Sequence, residues 1–418
     1  MTRQPGLQAV PAAMPSDQKG MPRGLKMTGP VLLSYGFRPF FLGGAIWAVL
    51  AMLFWILSLT LGTPLGGSYG GLNWHAHEMV FGFSSAVLAG FLLTAIPNWT
   101  GGLPVSGTPL AILCGGVWLA GRLVFLEPDL IDVRFAVAVE SLFLPSLLFI
   151  CAREIIAGRQ WKNLKVLVGV ATVMVANLVF HYLILTDGDV ALADRIGGVS
   201  AYVLLVMVIG GRIVPSFTRN WLNKMGGETR FPVPFNRYDG FSILVGVAAC
   251  IGWIAAPDQT ITAVLAWIAA LFHIVRLYRW RGGWSVAREK LLLVLHVAYA
   301  FIPLGFIAIG LSAIDRLNPY SALHVVTVGA IGCMMLAVMT RATRGHTGRE
   351  LTASPVTQAA YLCLVAAALI RPLAEIMPNF FHTILAASAL LWMGAFGLYV
   401  LEYGPMLLRE RRQRMAGA

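Results

Sequence analysis

The sequence predicts an all-α, polytopic membrane protein of about twelve transmembrane helices with both termini in the cytoplasm. Three observations predict it. Of the 418 residues, 58% are hydrophobic and 12% charged, with a mean hydropathy of +0.74, which exceeds what the core of a water-soluble domain encloses. The apolar residues also gather into stretches close to the roughly 20 that cross a bilayer, separated by short polar connections. Finally, Lys and Arg crowd into every second connection, the signature of loops retained on the cytoplasmic side.

Taken in order, spans are expected at 40–61, 75–97, 108–126, 133–152, 163–186, 195–217, 239–256, 260–280, 289–313, 319–341, 355–375 and 380–408. Arg38 precedes the first span, and Arg153 to Lys165 lie between the fourth and fifth. Arg212 to Arg237 accompany the turn from the sixth to the seventh, Arg276 to Lys290 the eighth to the ninth, and Arg341 to Arg349 the tenth to the eleventh. With the N-terminus inside, 26 of the 31 Lys and Arg fall on the cytoplasmic side, leaving Arg122, Arg134, Arg195, Arg316 and Arg371 outside. A wrong helix count would scramble this alternation. Residues 1–30 are polar, lack the apolar stretch of a signal peptide and read as a flexible cytoplasmic tail. Residues 31–408 form one twelve-helix domain, and 409–418 a basic tail.

The net charge of +12 is distributed over the inner loops, so the membrane rule accounts for it and no nucleic-acid partner is implied. Cys114, Cys151, Cys250, Cys333 and Cys363 all lie in spans without CxxC spacing and read as small core residues.

Polar groups at membrane depth are costly, which makes them the candidates for function. Here most are histidines. His75 and His77 open the second span, His181 lies near the outer end of the fifth, and His324 lies near the outer end of the tenth. At 1.5 Å per residue all four sit within roughly 8 Å of the outer edge of the hydrocarbon zone. Four imidazoles at one depth point to a metal or haem site, since bundle cores build such sites from facing helices. A lone interfacial histidine is the bland alternative, and it does not explain a layer. His75 and His77 are two residues apart and face nearly opposite sides of a helix, so they serve different partners. Glu78, beside them in NWHAHEMVFGF, is the candidate proton donor or imidazole acceptor. Asn177 precedes His181 by one helical turn and shares its face.

A second pair, His273 and His296, lies about 10 Å from the cytoplasmic edge, near Arg276, Arg279, Trp280, Arg281 and Tyr299. A positive-inside rim explains the arginines but not two histidines at equal depth, which are candidates for a quinol site, a second haem or proton entry. His382 follows Pro378 and Asn379 and is expected to face water, and His346 sits in a basic loop.

The inner ends of spans two, six and ten read GFLLTAIPNWTGG, GGRIVPSFTRNW and LAVMTRATRGHTG, a short repeat of four-helix period. It resembles the haem-copper oxidase catalytic subunit, with twelve helices in three four-helix arcs and metal ligands on helices 2, 6, 7 and 10. Span six departs from that plan, having Gly210, Gly211 and Arg212 and no histidine. A closer resemblance rests on YGFRPFFL (35–42), NWHAHEMVFGF (73–83), GFLLTAIPNWTGG (90–102), GGRIVPSFTRNW (210–221), HIVRLYRWRG (273–282) and LHVVTVGAIGCMMLAVMTRATRGHTGR (323–349). Together these motifs look like the NnrS family of bacterial membrane proteins. That resemblance implies haem b and copper, nitric oxide as ligand or substrate, and residence in the bacterial inner membrane among membrane lipid.

Joined to the histidine layer, the resemblance gives a working expectation: nitric oxide reduction to nitrous oxide at an outer-side metal centre. His324 would be the axial haem ligand, with His75, His77 and His181 available to copper or a second iron and Glu78 as proton relay. A haem held by His324 and either His75 or His77 would instead carry electrons, with no position open to gas. The chain has no CxxCH, Rossmann glycine pattern or iron–sulfur spacing, so its electron donor is external, a quinol or a periplasmic carrier. Two other classes stay open: a haem-based sensor or buffer without turnover, and a transporter, for which twelve helices is a common count.

Overall fold

The computed structural model describes residues 29–187, 192–226, 230–281 and 286–412. The expected tail at 1–30 lies outside these for residues 1–28, as does 413–418 at the other end. Among the described residues there is no strand. The chain is a bundle of α1 (Phe37–Leu61), α2 (Gly71–Thr100), α3 (Thr108–Val124), α4 (Val133–Ala157), α5 (Trp161–Thr186) and α6 (Gly197–Met225), followed by α7 (Arg237–Ala255), α8 (Thr260–Arg279), α9 (Lys290–Ala313), α10 (Pro319–His346), α11 (Pro355–Leu373) and α12 (Pro378–Leu408).

Eleven of these are long and apolar enough to cross a membrane. The exception is α3, at 17 residues about 25 Å long. Two contacts fix where its ends lie. The backbone N–H of Gly107, at its start, donates to Leu33 O ahead of α1. The indole N–H of Trp74, near the start of α2, donates 2.6 Å to Phe125 O at its end. The two ends of α3 therefore meet opposite ends of α1 and α2. Arg38, at the start of α1, donates to Leu407 O at 2.7 Å and to Arg409 O at 2.8 Å, past the end of α12. Entry and exit of the bundle thus share a face, which requires an even number of crossings.

Burial separates an inner set from an outer one. In the most apolar stretch of α2, 78% of residues are buried inside the protein, with 67%, 72% and 67% in α6, α9 and α10; for the other long helices the share is 33–39%. Helices of the second kind turn most of their surface to lipid, as Leu244, Leu362 and Leu401 do. The inner helices α2, α6 and α10 each extend past the expected spans at the end bearing the repeated motif, because Pro97 and Pro215 are accommodated within continuous helix. Each also contains a π-helical stretch, at Glu78–Phe83, Val206–Gly210 and Val325–Gly332, and α3 has another at Ile112–Leu119. Such widened turns re-aim side chains and recur at functional sites. In α2 and α10 they begin immediately after His77 and His324.

All five cysteines are free and buried or half-buried, in keeping with their expected role as small core residues. His346, expected in a loop, instead ends α10 and packs 5.8 Å from the Tyr35 ring and 5.4 Å from that of Phe37. That loop is shorter than expected because the helix continues through Thr340 and Thr343 to His346: the Thr340 and Thr347 hydroxyls turn back to the carbonyls of Leu336 and Thr343, and the Thr343 hydroxyl bonds that of Tyr399 on α12.

Candidate metal centre

The start of α2, the ends of α3 and α5 and the first turns of α4 enclose a set of polar side chains, none more than 2% exposed. Here the two histidine rings of His77 and His181 lie 4.8 Å apart, walled by Phe125 at 5.0 Å from His77 and by Phe81 and Phe180. Each ring is held through its Nδ1. His77 Nδ1 bonds Glu78 Oε1 at 3.0 Å, and the Tyr69 hydroxyl meets His181 Nδ1 at 3.1 Å. Both Nε2 atoms are thereby aimed at Glu140, on α4. His181 Nε2 lies 2.7 Å and His77 Nε2 3.6 Å from Glu140 Oε2.

Asn177 binds the third side of this triangle, its Oδ1 at 3.0 Å from His77 Nε2 and its Nδ2 donating to Glu140 Oε2 at 2.9 Å. Sequence spacing paired it with His181; the structure assigns it to His77 and Glu140. Arg122, counted from sequence among the outer-side cations, is fully buried and bridges the two carboxylates. It donates at 2.9 Å to Glu78 Oε2 and at 2.7 Å to Glu140 Oε1. The Trp47 indole adds a second bond to Glu78 Oε2, at 2.7 Å. Gly82 makes room for this: a Cβ there would collide with the Arg122 guanidinium and with Glu78 Oε2.

His77, Glu140 and His181 each offer a ligand atom, all within 4.8 Å of one another, so the three could hold a metal ion. With neutral imidazoles, Glu78, Glu140 and Arg122 sum to one negative charge, and every polar neighbour of His77 is an acceptor. A positive charge at His77 Nε2, a proton or a metal ion, therefore balances the cluster. Glu78 and His77 reproduce the carboxylate–imidazole pair that typically orients a histidine toward a metal.

The other two histidines of the expected layer stand elsewhere. His75 stacks on Trp55 at 4.7 Å, with Nδ1 buried and without a partner. His324 donates Nδ1–H to Tyr320 O at 2.7 Å. Ser321, three residues before His324, donates to Glu375 Oε2 at 3.1 Å, and Glu375 is paired with Arg371 at 2.7 Å. Of the four imidazoles, His77 and His181 thus meet in the cluster, whereas His75 lies on Trp55 and His324 on the turn that contacts the Arg371–Glu375 pair.

The chain from residue 31 to 411 matches the family described as NnrS protein. The chain belongs to the NnrS family. Every residue of the buried cluster and both outlying histidines fall inside the matched range. No curated protein matches this NnrS-family chain. Of its sequence motifs, NWHAHEMVFGF supplies His75, His77, Glu78 and Gly82, whereas Arg122, Glu140, Asn177 and His181 lie outside all of the motifs quoted for the resemblance.

At the opposite, arginine-rich end, His273 and His296 do not form a pair. His273 Nδ1 accepts from the Tyr299 hydroxyl at 2.9 Å, which in turn accepts from Arg276 at 2.7 Å, and Arg276 Nε donates to Asp239 at 3.0 Å. His296 bonds Leu292 O at 3.1 Å and lies 3.4 Å from Thr218 Oγ1. His273 Nε2 and Arg276 NH2 are buried without a partner.

Proposed function

We propose that this membrane protein binds haem b and a second metal ion, copper or iron, and reduces nitric oxide to nitrous oxide at its histidine-bearing end. The reading rests above all on the convergence of His77 Nε2, His181 Nε2 and Glu140 Oε2 in one dry, aromatic-walled cluster. Those three would hold the second metal. For the haem, His324 is the proposed ligand: its Nδ1–H is engaged by a backbone carbonyl, which leaves Nε2 as the basic nitrogen, an arrangement that typically accompanies ligation. His75, whose buried Nδ1 has no partner, would be a second haem ligand or line the site where gas binds.

Joining two nitric oxide molecules and releasing nitrous oxide and water consumes two electrons and two protons, and a reduced metal pair supplies the electrons and holds the gas. The chain's own residues do the rest. Phe81, Phe125 and Phe180 wall the cluster, Arg122 holds both carboxylates in place, and Glu78 meets His77 at Nδ1, the ring nitrogen that a metal on Nε2 would leave to it. Glu78 is the proposed proton relay into the cluster. Electrons enter from a quinol or a periplasmic carrier, and His273, with its free Nε2 at the arginine-rich end, is the proposed receiving group on the quinol side. The bacterial inner membrane is the proposed location.

The test is metal and haem analysis of detergent-purified protein expressed with both cofactors supplied, with its reduced-minus-oxidised spectrum. An anaerobic assay of nitric oxide consumption and nitrous oxide release follows. A colourless, metal-free protein refutes the proposal. Stoichiometric nitric oxide uptake without nitrous oxide would replace turnover with a sensor or buffer.

A further inference from the structure

A cavity at one end of the bundle has no part in this cluster. It measures about 560 Å³ and lies where α5 and α7 begin, α6 ends and the 232–235 segment passes. Its lining includes Lys162, Lys165, Arg212 and Arg219, and no carboxylate. Lys162 and Lys165 are exposed. The partners of the two arginines are neutral: Arg212 donates to Asn163 Oδ1 at 2.9 Å and stacks 5.1 Å from the Trp99 ring, and Arg219 donates to Pro232 O at 2.7 Å. Four cations held open by neutral groups form a receptor for an anion.

The rest of the lining says what kind. Trp99, Val166, Ile213, Phe235 and Ile243 make much of the wall apolar. By its place at helix ends, the cavity sits at the level of a membrane surface, on the face that carries most of the chain's basic residues. From its mouth, exposed Leu164 and Val168 continue along α5 and exposed Phe241 and Leu244 along α7, toward the bilayer centre. A volume of 560 Å³ accommodates a lipid headgroup, with the acyl chains outside along those residues.

We propose that this cavity binds the phosphate headgroup of an acidic phospholipid, with the guanidinium and ammonium groups on the phosphate and the acyl chains against α5 and α7. Basic pockets between helices suit such headgroups, and each cation near the surface strengthens attraction about fivefold. The site is independent of the buried cluster and of any reaction there.

The test is native mass spectrometry of the full-length, detergent-purified protein, titrated with phosphatidylglycerol, with phosphatidylcholine and with inorganic phosphate. Phosphatidylglycerol should remain bound where phosphatidylcholine is stripped. Lys162→Gln/Lys165→Gln should weaken its retention about thirtyfold, from roughly fivefold per cation. The charge-matched control Arg288→Gln/Arg409→Gln, on exposed residues that do not line the cavity, should stay within about twofold, because charges beyond a Debye length are screened. Ile243→Trp should displace the lipid by filling the cavity. Equal retention of the two lipids, or retention that both double variants weaken alike, overturns the proposal. So does inorganic phosphate that displaces phosphatidylglycerol at equal concentration, since it would mark a soluble-anion site.

Discussion

Replacing Arg122 with Met tests whether the buried cluster is an electrostatic unit. The substitution keeps an unbranched chain but removes both bonds, 2.9 Å to Glu78 and 2.7 Å to Glu140, from a side chain that is 1% exposed. Two carboxylates are then left in the bundle interior without their shared cation. Removing one partner of a buried ion pair costs about 3–5 kcal/mol, whereas polar contacts between membrane helices average about 0.6 kcal/mol in double-mutant cycles. The two possibilities are therefore well separated. If the charges act as a unit, Arg122→Met destabilises by at least 3 kcal/mol or so, and adding Glu140→Gln restores about half of it, since one of the stranded carboxylates is gone. The assay is unfolding of purified protein by SDS in mixed micelles, followed through tryptophan fluorescence, with Trp47 and Trp74 reporting from beside the cluster. The single variants and the double variant form the cycle. A coupling above roughly 1.5 kcal/mol is expected. Costs that add to within about 0.5 kcal/mol, or an Arg122→Met protein as stable as the parent, would show that the carboxylates do not depend on this cation.

Three further outcomes follow from the same geometry. Gly82→Ala places a methyl group on Arg122 and Glu78 Oε2, so a folded protein with disturbed cluster chemistry is expected: stability lower by about 1–3 kcal/mol and loss of the second metal by elemental analysis, with metal content equal to the parent counting against the assignment. Stripping that metal with a chelator should lower the unfolding temperature of the parent, because an ion bound only to the folded state stabilises it, and should leave His181→Ala unchanged; equal shifts in both would place the ion elsewhere. His324→Ala should abolish haem absorbance while keeping the second metal, and an unaltered haem spectrum would remove His324 from the ligand set.

The fold was legible because bilayer physics writes itself into composition. Apolar length marked each crossing, and the alternation of Lys and Arg disciplined the count, so that even the 17-residue α3 was placed, where length alone would have excluded it. What composition does not carry is which helices are inside. Ile46, Leu53 and Leu59, exposed on α1, are as apolar as the buried Leu92 and Leu93 on the inner α2, because lipid and protein interior are both apolar surroundings. The π-helical stretches were also beyond reach, since nothing in EMVFGF or VVTVGAIG distinguishes a widened turn from an ordinary one.

The site was half legible, and the missing half has a definite physical origin. Histidines at a common depth pointed to the end of the bundle where His77 and His181 meet Glu140, and the two-residue spacing of His75 and His77 is in keeping with their separate surroundings. Depth, however, says nothing about azimuth around a helix, so the sequence could not divide four imidazoles into two groups. Glu140 and Arg122 were missed for a different reason. Arg122 was read by sign, as one of five basic residues on the sparse side, when its meaning lay in its cost. Of those five, Arg134 and Arg316 are exposed and need no explanation, and Arg195 lies where no side chain is described. The remaining two, Arg122 and Arg371, each fall within a helix and are each paired with a carboxylate, Arg122 with Glu78 and Glu140 in the cluster of His77 and His181, Arg371 with Glu375, to which Ser321, three residues before His324, also donates. A cation that defies the charge rule from inside a span has to be neutralised locally, and where it is as buried as Arg122 the carboxylates that do so are themselves buried at cost. The exception to the topology rule was thus the second signal, and following Arg122 to its carboxylates leads to His77 and His181 without any reference to the histidines.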